Sequence, residues 1–382
     1  MSDRLPASTI EVADSISTIP AAEWNRLTAG HPMLSHAFLD GLHRTGCATA
    51  ATGWAPRYLL LKITGRLEAA MPLYLKTHSY GEYVFDWAWA DAYFRAGLDY
   101  YPKLLSAIPF SPVAGDRLLV SDPCYRGPLI DAAIQLAEKA ELSSFHCLFP
   151  SEEEAEEMQK RGLLIRSGVQ FHWHNRGYDS FDSFLATMNH DKRKKIRQER
   201  RKLAADITFR RLTGADITTA DLHFFHRCYV HTYREHRSTP YLTRNFFLHL
   251  RETMADQLLL IIAEQAGQPV ASAFNLFQTE SDVRTLYGRY WGTTKFVPGL
   301  HFETCYYQAL EFCIEQKIAR FEGGAQGEHK LARGFSPVKT LSAHWLARPE
   351  FASAVERYLS RETEGVEAYI DELSEREPFR KG

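Results

Sequence analysis

The sequence is poor in cysteine and shows no pattern for pairing the cysteines that it has. Six cysteines are scattered over 382 residues, without a C-x-x-C motif and without a secretory leader ahead of them. This spacing excludes a small fold stapled by disulfides. We therefore predict reduced thiols and a cytoplasmic protein of bacterial type.

Long apolar runs are missing as well. A membrane-spanning helix needs about 18 consecutive apolar residues, and no stretch of the chain approaches that length. We therefore expect no transmembrane segment. Neither sign of charge is in excess, because 45 Lys and Arg residues stand against 47 Asp and Glu residues, giving a net charge of -2.

The sequence is rich in material for hydrophobic cores, with 45% hydrophobic and 13% aromatic residues. A chain of 382 residues exceeds one ordinary core and predicts about two domains. The order strand, two helices, meandering strands, helix, strand also occurs twice. We predict an α/β (α+β) fold with an N-terminal domain over 1–178, a C-terminal domain over 179–348 and a C-terminal helix over 349–382.

Residues 286–335 are predicted to carry the functional site. They contain a strand at 286–291, a glycine-rich loop at 292–299, a helix, a second strand at 319–321 and a polar loop. In α/β units, ligands bind at the carboxyl ends of the strands, beside a helix N-terminus. The loop after the second strand therefore supplies the candidates, which are Gln326, Glu328, His329, Lys330 and Arg333.

A basic segment separates the two predicted halves. Eight of the eleven residues over 192–202 are Lys or Arg, and they surround most of a helix predicted over 184–203. Glu199 alone interrupts this run with an acid. We predict contact with a polyanion such as RNA, a pyrophosphate-bearing lipid or a nucleotide, and a merely solvated helix is the alternative. The donor-binding candidates here are Lys192, Arg193, Lys195, Arg197 and Arg200.

Other chemical patterns are weaker. His172 and His174 share one face of a predicted strand, but no third ligand with metal-binding spacing accompanies them, so we predict no metal site. Tyr290 and Trp291 point to opposite faces of their strand, so at most one of them lines a cleft. Cys305 lies on the apolar face of its helix and is expected to pack rather than to react.

Segments spread over nearly the whole chain resemble one family. They are Asp91-Ala92-Tyr93, Tyr100-Tyr101-Pro102-Lys103-Leu104, Pro109-Phe110-Ser111-Pro112-Val113, Gln170-Phe171-His172-Trp173, Lys192-Arg193-Lys194, Ile196-Arg197, Tyr241-Leu242-Thr243, His329-Lys330-Leu331-Ala332-Arg333-Gly334-Phe335 and Ser342-Ala343-His344-Trp345. The sequence resembles the Fem-like group of the GNAT superfamily, in the family of peptidoglycan biosynthesis or recognition proteins. The resemblance implies two tandem GNAT-like domains, each a mixed, mostly antiparallel sheet flanked by helices, and N-acyltransferase activity.

The chain is similar, more distantly, to the aminoacyl-tRNA-dependent Fem transferases. Their glycine pair and following lysine match Glu322-Gly323-Gly324 and Lys330, and their basic helix matches 192–202. The acyl-CoA pyrophosphate motif of the superfamily, Q/R-x-x-G-x-G/A, is only half present, because Thr294 stands at its last position. This departure weakens acetyl-CoA as the donor. The helical arm of Fem transferases is also missing, which weakens a close match to the peptidoglycan bridge enzymes.

Acyl transfer to an amine needs a base for the amine proton and positive charge beside the tetrahedral oxyanion. Lys330 is predicted to stabilise the oxyanion, and Arg333 to hold a phosphate or carboxylate of the donor. Glu328 or His329 can take the amine proton, although a structural hydrogen bond is an alternative role for His329. Lys295, in the glycine-rich loop, is a further donor-binding candidate.

Acceptor binding is predicted by analogy with the fold. Asp86, Trp87, Asp91 and Tyr93 are expected to form a pocket in the N-terminal domain, and Tyr290 is a further acceptor-binding candidate.

Three functions remain open on the sequence alone. The favoured one is an aminoacyl-tRNA-dependent N-acyltransferase with an amine acceptor, either a small molecule or a cell-wall precursor. The second is a GNAT acyltransferase that uses a CoA thioester as donor. The third is a polyanion-binding protein without catalysis. We expect a co-substrate, aminoacyl-tRNA or acyl-CoA, and no tightly bound cofactor.

Overall fold

A computed structural model describes residues 8–203, 206–281, 283–324 and 327–379. Gln326, one of the predicted polar-loop residues, lies outside them. The strands are β1 (Ser8–Ala13), β2 (Trp54–Pro56), β3 (Tyr58–Ile63), β4 (Arg66–Met71), β5 (Leu73–Lys76), β6 (Lys103–Ser106), β7 (Leu119–Val120), β8 (Ser144–Leu148), β9 (Leu164–His174), β10 (Ile207–Thr213), β11 (Leu258–Gln265), β12 (Gln268–Phe277), β13 (Thr285–Thr293), β14 (Arg320–Glu322) and β15 (Ser336–Leu346). The α-helices are α1 (Ala21–Asn25), α2 (His36–Arg44), α3 (Trp87–Arg95), α4 (Arg126–Lys139), α5 (Glu152–Lys160), α6 (Phe181–Thr187), α7 (His190–Lys202), α8 (Thr219–Glu235), α9 (Arg244–Met254), α10 (Leu300–Phe302), α11 (Gln308–Glu315) and α12 (Pro349–Glu375).

The chain divides into two compact units. Unit 1 comprises Met1–Gly168 and Lys339–Ala368, and unit 2 comprises Val169–Val338 and Tyr369–Gly382. The strands β9 and β15 therefore contribute residues to both units. The domain ranges predicted from chain order remain a prediction.

Unit 1 contains two groups of paired strands. One has the order β1-β3-β4-β7 and is antiparallel, and the other has the order β15-β8-β6-β5-β2 with β6 and β8 parallel. Strand β3 is apolar at nearly every position, which is typical of a strand covered on both faces. Helix α4 packs Leu129 and Ala133 into a core with Leu61 and Leu104.

Unit 2 contains six strands in the order β10-β11-β12-β13-β14-β9. Strands β13 and β14 run parallel, and the other neighbours run antiparallel. The crossover between the parallel pair consists of α10, a π-helical segment (Glu303–Tyr307) and α11. Its apolar face buries Leu310 and Cys313 in one core with Phe321 and Trp173. The parallel pair brings two carboxyl strand ends to the same edge of the sheet.

The predicted α/β fold class is confirmed, and so is the strand, helix, strand order within 286–335. The predicted polar loop differs, because residues Glu328–Arg333 form a short 3-10 helix. Residues Leu164–His174 form one continuous strand, β9. Gly168 continues that strand instead of turning. No helix within the described ranges is long and apolar enough to cross a membrane.

The single basic helix predicted over 184–203 is also wrong, because two helices, α6 and α7, occupy these residues. Asn189 stands between them with extended backbone, and its Oδ1 accepts a hydrogen bond of 3.0 Å from the backbone N–H of Lys192. This N-cap ends the first helix and starts the second. Ile196 anchors α7 as its buried residue, and the basic side chains surround that anchor.

Candidate functional site

A close approach between helix and strand fixes the carboxyl end of β13. A Cβ atom at Gly292 would lie 2.1 Å from the carbonyl oxygen of Cys228 in α8, so no side chain fits there. Thr232 Oγ1 adds a hydrogen bond of 3.0 Å to the carbonyl oxygen of Trp291. The end of β13 is therefore held directly against α8.

Lys330 is buried just beyond the end of β14, with 2% of its surface exposed. Its Nζ donates a hydrogen bond of 2.9 Å to the carbonyl oxygen of Gly324. Burial lowers the pKa of Lys330 to about 8, against a weaker raising effect of Cys305. At neutral pH this group is an ammonium ion in a water-poor site, which suits stabilisation of a developing oxyanion.

His329 lies beside Lys330 and is exposed. Its Nε2 is 3.0 Å from Tyr306 Oη, close enough for a hydrogen bond. Partial burial, Lys330 and Arg333 together lower the pKa of His329, so the imidazole is neutral at pH 7. When Nε2–H donates to Tyr306, the lone pair on Nδ1 is available to accept a proton.

Glu328, the other predicted base, turns to different partners. It accepts hydrogen bonds from Tyr369 Oη at 2.7 Å and from Arg376 at 2.9 Å. These two bonds lower the pKa of Glu328, first through Tyr369 and then through Arg376. The carboxylate is held by α12 and the residues after it, and the structure does not bring it together with the side chain of Lys330.

Arg333 joins the 3-10 helix to the basic helix α7. It is 3% exposed, and its guanidinium donates to Glu199 at 3.0 Å and to the carbonyl oxygen of His329 at 2.7 Å. It also lies 3.4 Å from the centroid of the Phe302 ring. Glu199 accepts a second bond, of 2.6 Å, from Tyr307 Oη. With its guanidinium engaged in this way, Arg333 is placed to position the neighbouring residues.

His301 was missed by sequence reasoning. Its ring centroid lies 5.0 Å from that of Trp291, 5.6 Å from that of Tyr306 and 6.1 Å from that of His329. Burial, followed by the charges of His329, Arg333 and Lys330, lowers the pKa of His301 to about 4, so its imidazole is neutral. The available signal was a histidine in the first helical turn after Gly299, at the crossover from β13.

A cavity of about 440 Å³ opens beside His301. Trp291 and the predicted donor residue Lys295 both line this cavity. Trp291 is one of the two strand neighbours that are predicted to point to opposite faces. Lys295 Nζ donates a hydrogen bond of 2.6 Å to Gln265 Oε1. Because that partner is neutral, the positive charge of Lys295 is not cancelled.

The cations of the basic helix α7 fall into two groups. Engaged cations are paired with an acid, and available cations are not. Arg200 donates to Glu303 and to Glu311 at 2.7 Å each, and Arg197 pairs with Asp182 at 3.0 Å. The remaining cations have no carboxylate within ion-pair distance in the part of the chain that the structure describes. They are Lys192, Arg193, Lys194, Lys195, Arg201 and Lys202.

A groove of about 640 Å³ runs along α7, between it, α6 and α11. Arg193, Lys194 and Arg201 line it together with the engaged Arg197 and Arg200. Of the predicted donor-binding residues, the structure thus leaves Lys192, Arg193 and Lys195 unpaired and commits Arg197 and Arg200 to acids. The groove is strongly positive and suits phosphate groups.

In unit 1, the predicted acceptor residue Asp86 belongs to a buried polar network. Lys103 Nζ donates to Glu82 and to Ser79 Oγ at 2.8 Å each, and it contacts Asp86 as well. Tyr100 Oη donates to Asp86 at 2.6 Å. Burial opposes ionisation of Asp86, but Lys103 outweighs it and holds the pKa of this carboxyl below its usual range.

The other predicted acceptor residues of unit 1 lie on helix α3, of which Asp86 is the N-cap. Trp87 is exposed, and Asp91 pairs with Arg95 on the surface of α3. Tyr93 is buried against Phe351, with ring centroids 4.0 Å apart.

Tyr290 belongs to unit 2, where its ring packs against Tyr229 at 5.1 Å and against Phe247 at 6.2 Å. Tyr290 thus belongs to a different unit from the four other acceptor candidates, Asp86, Trp87, Asp91 and Tyr93. Tyr290 lies on the α8 side of β13, whereas its neighbour Trp291 lines the cavity.

The two histidines of β9 face different surroundings. His172 is buried, with its Nε2 4.0 Å from Glu322 Oε2, and burial followed by Arg320 lowers its pKa to about 3. His174 is exposed. No group of three or more His, Cys, Asp or Glu side chains among the described residues is arranged to hold a metal ion.

Two of the solved structures that are similar to this chain share its fold. FemX is 12% identical, with 88% of this chain and 98% of that chain covered and a TM-score of 0.56. The C-terminal DUF2156 domain of a putative lysylphosphatidylglycerol synthetase from Agrobacterium fabrum is 11% identical, with 89% and 95% covered and a TM-score of 0.54. A tandem GNAT protein from the clavulanic acid biosynthesis pathway is 12% identical, with 90% and 99% covered and a TM-score of 0.49.

The family is given by the sequence itself. Residues 15–381 match the profile of the FemAB-like family, described as peptidoglycan biosynthesis/recognition proteins. The chain belongs to this family. No curated protein matches it.

Proposed function

We propose that this protein transfers an acyl or aminoacyl group from an activated donor to an amine and forms an amide bond. The main support for the proposal is Glu199 of α7, which accepts hydrogen bonds from Arg333 and Tyr307. This carboxylate joins the helix with the available cations to the short helix that carries His329 and Lys330. A donor bound by its phosphates to α7 is then held in a fixed relation to the candidate catalytic residues.

The chemistry follows from the protonation states in the site. The acceptor amine attacks the acyl carbonyl carbon, and the Lys330 ammonium stabilises the negative charge on the carbonyl oxygen. Neutral His329 takes the proton that the amine loses. Collapse of the intermediate breaks the bond to the donor, and the leaving ribose hydroxyl or thiol receives a proton from His329. Amide and deacylated donor are the products.

Aminoacyl-tRNA is the favoured donor. The six available cations of α7 and the groove of about 640 Å³ beside them support a long polyanion. A CoA thioester is the second candidate, and the strand-crossover-strand arrangement of β13 and β14 supports it, since ligands bind where such strands end. The acceptor is proposed to be an amine of a small molecule or a cell-wall precursor, in keeping with the description of the family.

The proposal is tested by supplying the protein with amine-bearing cell-wall precursors and with either charged tRNA or CoA thioesters as donors. Transfer is followed by mass spectrometry. Lys330→Ala should lower the rate by about 10²–10³-fold, as the loss of an oxyanion donor does. Lys339→Ala, a lysine on the surface paired with Glu367, is the matched control and should keep full activity. Activity of Lys330→Ala within twofold of the unsubstituted protein would show that the site is assigned wrongly.

The two donors are separated by binding measurements. Filter binding of tRNA should weaken steeply as salt rises, because each neutralised phosphate releases counterions. Absence of salt-sensitive binding in the micromolar range excludes the tRNA donor, and thermal stabilisation by acyl-CoA then supports the CoA donor. If neither donor supports turnover, a non-catalytic polyanion-binding role replaces the proposal.

A further inference from the structure

The C-terminal residues of unit 2 contact the candidate site, although the proposed transfer chemistry gives them no part. Unit 2 includes Tyr369–Gly382, and the structure describes this stretch as far as residue 379. Helix α12 ends at Glu375, and a short irregular segment follows it. Residues 369–379 are called the strap below.

One face of the strap is anchored in the core of unit 2. Tyr369, Leu373 and Arg376 are spaced four and three residues apart, so they share one side of the last helical turns. Leu373 is 0% exposed and lies in the core that also contains Leu331 of the short 3-10 helix and Phe184 of α6. Tyr369 and Arg376 therefore stand on either side of a buried anchor.

The far end of the strap holds the start of the basic helix α7. The backbone N–H of Asn189, the N-cap residue, donates a hydrogen bond of 2.9 Å to the carbonyl oxygen of Pro378. Met188 forms an antiparallel bridge with Phe379, and the guanidinium of Arg176 lies 4.8 Å from the centroid of the Phe379 ring. The strap thus fixes the path by which the chain enters α7.

Glu328 ties the strap to the start of the short 3-10 helix. Its two carboxylate oxygens accept one hydrogen bond each, from Tyr369 Oη at 2.7 Å and from Arg376 at 2.9 Å. The cap position before this helix is Gly327, with a φ of 115° and no side-chain hydrogen bond. Glu328 and the strap supply the side-chain attachment that the cap position lacks, directly before the two candidate catalytic residues.

We propose that Glu328 is a positioning residue, which acts through the strap and not as a base. It fixes the start of the short helix, and thereby the places of His329 and Lys330 relative to α7. The inference rests on the proposed function, in which a donor on α7 has to meet these two side chains. Because displacement of reacting groups by about 1 Å can slow a reaction by about 10²-fold, the strap is expected to act on kcat.

Exchange of the two charges separates positioning from catalysis. Glu328→Arg places a positive charge beside Arg376 and should lower kcat about tenfold or more. The KM for the charged tRNA should change little, since the cations of α7 are untouched. Arg376→Glu should act in the same way, and the double variant, which restores opposite charges, should recover most of the lost rate. A double variant as slow as Glu328→Arg alone overturns the proposal, because a carboxylate base at position 328 is missing from both.

The matched control is Glu315→Arg. Glu315 is a half-exposed acid of unit 2 that pairs with Arg211 at 2.9 Å, and its replacement should leave kcat unchanged. A loss of kcat as large as that of Glu328→Arg overturns the positioning role.

Hydrogen exchange of the peptide over 328–334 follows the strap without any transfer reaction. Glu328→Arg and Arg376→Glu should each speed exchange in this peptide, and the double variant should restore its protection. Unchanged exchange in both single variants overturns the positioning role. Restored protection in a protein that transfers no acyl group supports the positioning role and refutes only the proposed function.

Discussion

Lys103 is the buried centre of the polar network in unit 1, and its replacement by methionine makes a stringent test of that network. The side chains of Lys103, Glu82 and Asp86 are 0%, 1% and 4% exposed. Methionine keeps the length of the side chain but removes the charge and the hydrogen bonds to Glu82, Asp86 and Ser79. Two buried carboxylates then lose the cation that hydrogen-bonds to them, and buried Lys76 remains as a nearby positive charge.

The expected loss of stability follows from this arrangement. Removing one partner of a buried ion pair costs about 3–5 kcal/mol. Burial already raises the pKa of Glu82 to about 7 despite the opposing charge of Lys103, so Glu82 is readily neutralised and the cost of leaving Asp86 ionised dominates. For a unit of about 200 residues, about 2–4 °C is lost per kcal/mol. Lys103→Met should therefore lower the melting temperature by about 6–20 °C.

Differential scanning calorimetry at pH 7 measures this effect. Lys62→Met is the matched control, because Lys62 pairs with Glu11 at 2.7 Å on the surface of the same unit, and exposed pairs contribute about 0–1 kcal/mol. Adding Glu82→Gln and Asp86→Asn to Lys103→Met should recover part of the loss, since the two carboxylates that lost the Lys103 cation no longer carry charge. If Lys103→Met costs no more than Lys62→Met, the reasoning about the buried network is refuted.

Three further predictions concern unit 2. Transfer should slow above about pH 8, because Lys330 with its pKa of about 8 loses the proton that stabilises the oxyanion, and Lys330→Arg should shift this alkaline limb upward in a pH profile of kcat. Lys192→Ala and Arg193→Ala should each reduce the salt dependence of tRNA binding by about one unit of slope, and an unchanged slope would remove these side chains from the interface. Asn189→Ala should cost about 0.5–2 kcal/mol through loss of the N-cap of α7, measured by urea unfolding with Asn189→Ser as the conservative control.

Much of the second unit was predictable from local sequence. The sequence pattern over 286–335 located a strand within β13, the crossover helix that carries Leu310 and Cys313, and β14, because strands and helices impose fixed periods on their buried faces. The density of polar residues after β14 pointed to His329 and Lys330. The break between α6 and α7 was overlooked, although Asn189 is a residue type that caps helices.

Sequence composition determined that α7 is basic, but tertiary structure decided which of its cations are available. Arg200 and Arg197 are committed to acids, and Glu199, an interruption of the run in the sequence, is the partner of Arg333. These two residues are 134 positions apart, and no local period relates them.

The same limit applies to His301 and to Lys103. By itself, the sequence determined the elements and the residue types at the ends of the strands, since backbone hydrogen bonding and burial act over a few neighbouring residues. Tertiary structure alone decided that His301 meets Trp291 and His329, and that Lys103 meets Glu82 and Asp86. Contacts between distant segments depend on how whole elements pack, and this packing sets the burial, the hydrogen-bond partners and the pKa values on which the chemistry depends.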